Sequence, residues 1–72
     1  MENNVLKTFG NHLREIRIKK NLSQVELAYK GNFDRNYIGM LERGERNPSL
    51  KNLLRLANAL DITLPELLNF KR

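Results

Sequence analysis

Apolar residues along this chain recur every three or four positions in short groups, a spacing that predicts helices and not half-buried strands. Between residues 5 and 20, Leu6, Phe9, Leu13 and Ile16 fall on one stripe of a helix about four turns long. Val5 borders the stripe and Ile18 falls off it. Lys19 and Lys20 suit the carbonyl end of the helix dipole, and Asn21 is the stop before Leu22 packs back. Ser23 and Glu26 have the spacing of a capping box, so a second helix starts at Gln24 with Leu27 and Ala28 inward. Gly31 and Asn32 tolerate the left-handed backbone of a sharp turn, and Phe33 plugs the corner. Asp34 caps a third helix in which Ile38 and Leu41 face inward, leaving Arg35, Asn36, Tyr37 and Met40 on its outer surface. Gly44 ends it, and a polar loop follows over residues 45–48.

Ser49 caps a fourth helix running to about residue 60, with Leu50, Leu53, Leu54, Ala57 and Leu60 as a wide inward face and Leu56 pointing partly away. Thr63 and Glu66 repeat the capping box, with Pro65 in the first turn, for a short fifth helix over residues 64–68. Residues 69–72 fray unless Phe70 docks. The pattern therefore predicts an all-α chain, a single domain over residues 1–72 with its helix-turn-helix at 24–43.

Length and composition then limit what such a chain can do. With 72 residues it lies near the size at which a hydrophobic core alone gives useful stability, so self-association is an expected supplement. It has no cysteine for a disulfide framework, and the lone His12 leaves no protein-only transition-metal site. No apolar run approaches the roughly 20 residues that span a bilayer, and no secretory signal opens the chain, so a cytoplasmic location is expected. Thirteen basic against eight acidic residues leave a net charge of +5, doubled in a dimer, which attracts a polyanion. Charge alone does not choose between DNA, RNA and an acidic membrane. No paired carboxylates, activated nucleophile or glycine-rich phosphate loop is present, so neither an enzyme nor a cofactor, metal or small-molecule substrate is expected.

The outer set on the third helix has the chemistry that reads base edges. Arg35 carries five donors that can grip O6 and N7 of guanine, a pair worth about 1–3 kcal/mol of discrimination. Asn36 suits an adenine edge or a phosphate, and Tyr37 can reach a phosphate while its ring packs on Phe33. Met40 fits a thymine methyl or covers the edge of the core. Free amides at the helix starts make Ser23 with Gln24, and Ser49 with Lys51, candidate phosphate sites. Arg43, Arg46 and Asn47 follow directly on the third helix, in a loop that would pass a duplex backbone if that helix lay in its major groove, with Arg46 then able to enter the minor groove; the alternative is an ordinary solvated loop. Arg17 stands beside the apolar stripe, so its charge needs a partner if it is covered. Glu42 is the candidate, the alternative being that both are ordinary solvated charges.

The run SQVELA, the turn, the helix carrying Ile38 and Leu41, and the closing LERGERNPSL together resemble the Xre/Cro-type helix-turn-helix over nearly the whole chain. Within that family, AYKGNFDRNYIGMLERGERNPSL is most similar to the small controller proteins of restriction-modification systems, which share an Asp-Arg-polar-Tyr-Ile run followed by Glu-Arg and Arg-Asn. The resemblance implies a five-helix bundle of the lambda-repressor-like DNA-binding type, acting on double-stranded DNA as a homodimer at an inverted repeat. It implies that Gln24 binds phosphate and that Arg17 and Glu42 pair to fix the recognition helix. It sets the last helix at a two-fold interface, with Leu56, Leu64, Leu67, Leu68 and Phe70 as interface residues. Gly31 departs from the family pattern, which favours an apolar side chain there; Phe33 is expected to compensate. A controller protein further admits RNA polymerase as a partner. The rivals are a phage Cro or repressor, and an antitoxin that binds a protein partner as well as operator DNA.

Overall fold

Local caps mark where the helices begin and end. Ser23 and Thr63 each accept from the amide three residues on while Glu26 and Glu66 reach back to the cap amide, and Ser49 Oγ accepts from the Asn52 amide at 3.1 Å. At the other ends, Asn21, Asn32 and Asp61 adopt left-handed φ values of 59°, 58° and 59°, and Gly44 one of 77°. Asn and Asp tolerate that region better than other side chains do.

A computed structural model describes residues 2–71, with side chains from residue 5 onward. The elements are α1 (Glu2–Lys19), α2 (Gln24–Gly31), α3 (Tyr37–Glu42), α4 (Leu50–Leu60) and α5 (Leu64–Leu67), with no strand among the described residues. The all-α reading therefore holds. No described helix is long and apolar enough to cross a membrane. α1 packs on α3, α2 on both α3 and α4, and α5 on α4. One core results, built from Phe9, Leu13, Leu27, Ala28, Ile38, Leu41, Leu56, Ala57, Ala59, Leu60 and Leu67. Each fully buried leucine contributes about 1.5–3 kcal/mol relative to exposure.

Three expectations change. First, α3 starts at Tyr37 and not directly after Asp34. Asp34 Oδ1 accepts from the Asn36 amide at 2.9 Å and its carbonyl accepts from the Tyr37 amide at 3.0 Å, so Asp34 closes a tight turn. Arg35 and Asn36 stand in that turn, ahead of the helix.

Second, the buried face of α4 is rotated from the expected one. Leu56 is fully buried, whereas Leu50 and Leu54 are 65% and 46% exposed. The apolar arc of α4 is wider than the core can cover, and Leu56 is on the part of it that joins the core, where α4 packs on α2 and α5. Third, Leu56 and Leu67 have no exposed surface, so neither is available to a second copy in this packing. Leu64 is half-buried, and Phe70 docks with its ring 6.0 Å from Phe9 and 5.6 Å from His12. Of the tail expected to fray, Arg72 lies outside the described residues.

Gly31 is explained by Phe33. A Cβ there would stand 2.5 Å from the Phe33 ring, so the aromatic occupies the space that an apolar side chain would need.

Candidate nucleic-acid interface

The orientation of α3 is set from behind by a buried ion pair. Arg17, near the end of α1, donates from Nε to Glu42 Oε2 at 2.6 Å and from Nη2 to Glu42 Oε1 at 3.1 Å. Its third contact, Nη1 to the Leu22 carbonyl at 2.8 Å, holds the loop before α2. Gln24 Nε2 adds a bond to Glu42 Oε1 at 3.0 Å. The two charged side chains are 11% and 4% exposed, and no buried side-chain polar atom among the described residues lacks a partner. The pair thus joins α1, the start of α2 and the end of α3. Removing one member would leave a desolvated charge, at a cost of about 3–5 kcal/mol.

In front of that brace lies the outward set. Arg35 and Asn36 are exposed, and among the described residues the Arg35 guanidinium makes no hydrogen bond or ion pair. Tyr37 is half-buried, stacked on Phe33 with ring centroids 5.1 Å apart, and its hydroxyl accepts from Asn52 Nδ2 at 2.9 Å. Met40 is half-buried one turn after Asn36. The turn and the start of α3 thus carry a cation, a carboxamide, a phenol and a thioether within one short stretch, residues 35–40.

The residues expected at phosphates come from the start of α2 and from the stretch after α3, and Gln24 Oε1 and Arg43 Nη1 both lie close to Gly39, 3.4 and 3.1 Å from where a Cβ there would stand. Ser23 Oγ accepts from the Glu26 amide at 3.0 Å, which leaves its own proton to donate. Gln24 has one amide hydrogen engaged with Glu42, so its second one and the Gln24 and Val25 backbone amides remain for an anion. Arg46, Asn47, Ser49 and Lys51 are all exposed in the loop and at the start of α4. Arg43 is not an idle cation: its Nε and Nη2 grip Glu45 at 2.9 and 3.2 Å. That hydrogen-bonded pairing raises the Arg43 pKa and holds the Glu45 carboxyl below the usual range. A polar cleft lined by Lys7, Asn11, Glu42, Arg43 and Glu45 opens beside them.

The HTH_3 family model, Helix-turn-helix, matches residues 13–67, from the middle of α1 through the end of α5. This chain belongs to the HTH_3 helix-turn-helix family. Control protein C.BamHI of Bacillus amyloliquefaciens is 42% identical over 71 residues, spanning 97% of this chain and 88% of that one. Control protein C.MunI of a Mycoplasma species is 42% identical over 66 residues, spanning 90% and 89%. The solved structure of the restriction-modification controller protein C.AhdI from Aeromonas hydrophila has a TM-score of 0.83 and 53% identity, covering 89% of this chain and 96% of that one. The HTH_3 chain is thus a DNA-binding transcription regulator similar to restriction-modification controller proteins.

Several groups at this HTH_3 site escape a reading of the sequence. Lys7 and Asn11 look like solvent-side positions of α1 and come beside Arg43 only because α1 crosses α3 there. Gln24 reads as a phosphate ligand alone, although it also completes the shell around Glu42. Asn52 and Arg55 carry no local signal, yet they hold the turn and Tyr37.

Proposed function

We propose that this protein is a homodimeric transcription regulator that reads an inverted-repeat operator by placing residues 35–40 of each protomer in successive major grooves, about 34–36 Å apart. The observation that carries this reading is the free Arg35 guanidinium on an exposed turn whose helix is braced by the buried Arg17–Glu42 pair. Asn36, Tyr37 and Met40 complete the base-facing set. Ser23, Gln24, Arg43, Arg46, Asn47, Ser49 and Lys51 take phosphates on either side, so affinity falls with salt by a log–log slope of about −0.9 per phosphate neutralised. Two copies meet through the α4–α5 side, where Leu50, Leu54 and Leu68 are the exposed apolar residues, Leu64 and Phe70 lying half-buried beside them.

Similarity to controller proteins supports a cytoplasmic regulator of its own promoter and that of an endonuclease, activating through RNA polymerase with one dimer bound and repressing when further sites fill. Leu56 and Phe70 are both used inside the protomer, so the exposed Leu54 and Leu68 are the apolar surface on which either a second copy or the protein partner of an antitoxin would dock.

Binding of variants to a duplex selected from a random pool, and to a random duplex, tests the division of labour. Arg35→Ala is expected to remove preference at one position of each half-site, costing about 1–3 kcal/mol on the selected duplex alone. Arg43→Ala should weaken both duplexes together and leave Glu45 as an unpaired anion near phosphate. Equal losses on both duplexes from both changes would sink the assignment.

A further inference from the structure

Tyr37, Asn52 and Arg55 form a chain of hydrogen bonds whose direction is dictated from one end. Arginine has only donors. The Arg55 guanidinium is pinned: Nη2 donates to the carbonyls of Gly31 and Asn32 at 2.9 and 2.6 Å, and Cζ lies 4.2 Å from the centre of the Phe33 ring. Those carbonyls are left over at the end of α2, where no further turn supplies amides. Its Nη1 meets the Asn52 side chain at 3.1 Å, and only the amide oxygen can accept there. Asn52 therefore cannot flip, and its NH2 group is what faces the Tyr37 hydroxyl at 2.9 Å.

The phenolic oxygen must accept from Asn52, which leaves its own proton to point elsewhere. No other partner of that hydroxyl occurs among the described residues. We infer that Asn52 and Arg55 are positioning residues that make Tyr37 a donor, and not an acceptor, toward DNA. This rests on residues 35–40 being the DNA-facing front. Tyr37 then selects a phosphate oxygen or a base acceptor such as guanine O6 or thymine O4, and gains nothing from the amino groups of adenine or cytosine. The relay starts at the turn between α2 and α3, so the hydroxyl is oriented by the backbone that defines the motif.

Asn52→Asp tests the direction. It keeps the size and the Arg55 contact, but a carboxylate only accepts and so draws the Tyr37 proton inward. The wild-type protein, Tyr37→Phe, Asn52→Asp and the double variant are titrated with the selected duplex after melting curves establish that each is folded. Tyr37→Phe is expected to weaken binding about tenfold in the wild-type background, the size of a lost hydrogen bond to a charged group, and to change little in the Asn52→Asp background. The added charge of Asn52→Asp is common to both members of the second comparison and cancels.

An equal loss in both backgrounds would overturn the relay while leaving Tyr37 as a contact. No loss from Tyr37→Phe in the wild-type background would overturn both the relay and the placement of Tyr37 against DNA. A second readout needs no DNA. The chain has two tyrosines, so Tyr29→Phe leaves Tyr37 alone to report through its Raman doublet, which separates accepting from donating hydroxyls. The signal should move toward donation when Asn52→Asp is added; an unchanged doublet overturns the proposed direction.

Discussion

At Gly10 the backbone of α1 lies against the carbonyl end of α3. A Cβ there would sit 2.5 Å from the Leu41 oxygen and 2.6 Å from the Glu42 oxygen, and backbone atoms cannot swing aside as a side-chain tip can. Gly10→Ala gains about 1 kcal/mol of helix propensity, while overpacking of this kind costs up to about 3 kcal/mol, so the loss wins. A net of about 2 kcal/mol lowers Tm by roughly 8–16 °C in a domain of this size, which a circular dichroism melt reads. An unchanged or higher Tm would mean that α1 lifts off α3 without cost. Nothing in the sequence marks Gly10, because its reason lies on another helix. Ser23, Asn21, Asn32, Gly44, Ser49 and Thr63 were legible because a cap is made with neighbours along the chain. Gln24 on Glu42 and Asn52 on Tyr37 were not, since those pairs exist only after helices pack. Asp61 is a different omission: its side chain type permits the left-handed stop that it makes, and the signal was present.

Four of the five described helices, all but α5, end by one repeated device. After the left-handed residues Asn21, Asn32, Gly44 and Asp61, the next amides return to carbonyls five residues earlier: Leu22 to Arg17, Phe33 to Ala28, Glu45 to Met40 and Ile62 to Ala57. Leu22, Phe33 and Ile62 pack on the core after the turn, whereas Glu45 stays outside and grips Arg43. The end of α3 is thus the one closed by charge, and it is the end that faces phosphate in the proposed complex.

α5 has only four residues and cannot persist on propensity. Buried Leu67, the His12 contact to the Glu66 carbonyl at 3.1 Å and its own capping box hold it. The Thr63 backbone amide, and then its hydroxyl, hold the Glu66 carboxyl below its ordinary range. A depressed folded value means that this contribution is complete above the unfolded value of about 4.3 and disappears as pH falls through the folded one. The stability advantage of wild type over Glu66→Gln, read from urea midpoints, should therefore be larger near neutrality than at about pH 3. Equal advantages at both would mean that the cap does not depend on charge.

One protomer leaves apolar surface that its own core does not use. Leu50 and Leu54 lie one turn apart on α4, 65% and 46% exposed, and Leu68 at the end of α5 is 40% exposed. The sequence revealed an apolar arc on α4 too wide for one task, but not which edge the core takes, because α2 and α5 decide that by where they pack. With Leu56 inside, the Leu54 edge is the exposed one, and the proposed dimer would use it. Leu54→Glu adds a charge at an exposed position, so the protomer should keep its fold while like charges meet across a two-fold axis. Sedimentation equilibrium should then show monomer, and affinity for the inverted repeat should fall about 10²–10⁴-fold toward that for a single half-site, as linkage between the halves is lost. Leu56→Ala provides the contrast, since a cavity there costs about 2–5 kcal/mol of folding whether or not dimers form. A Leu54→Glu protein that remains dimeric and holds its operator undiminished would move the interface elsewhere, and Val25, 53% exposed beside Tyr29 at 86% on the outer face of α2, would be the next surface to change.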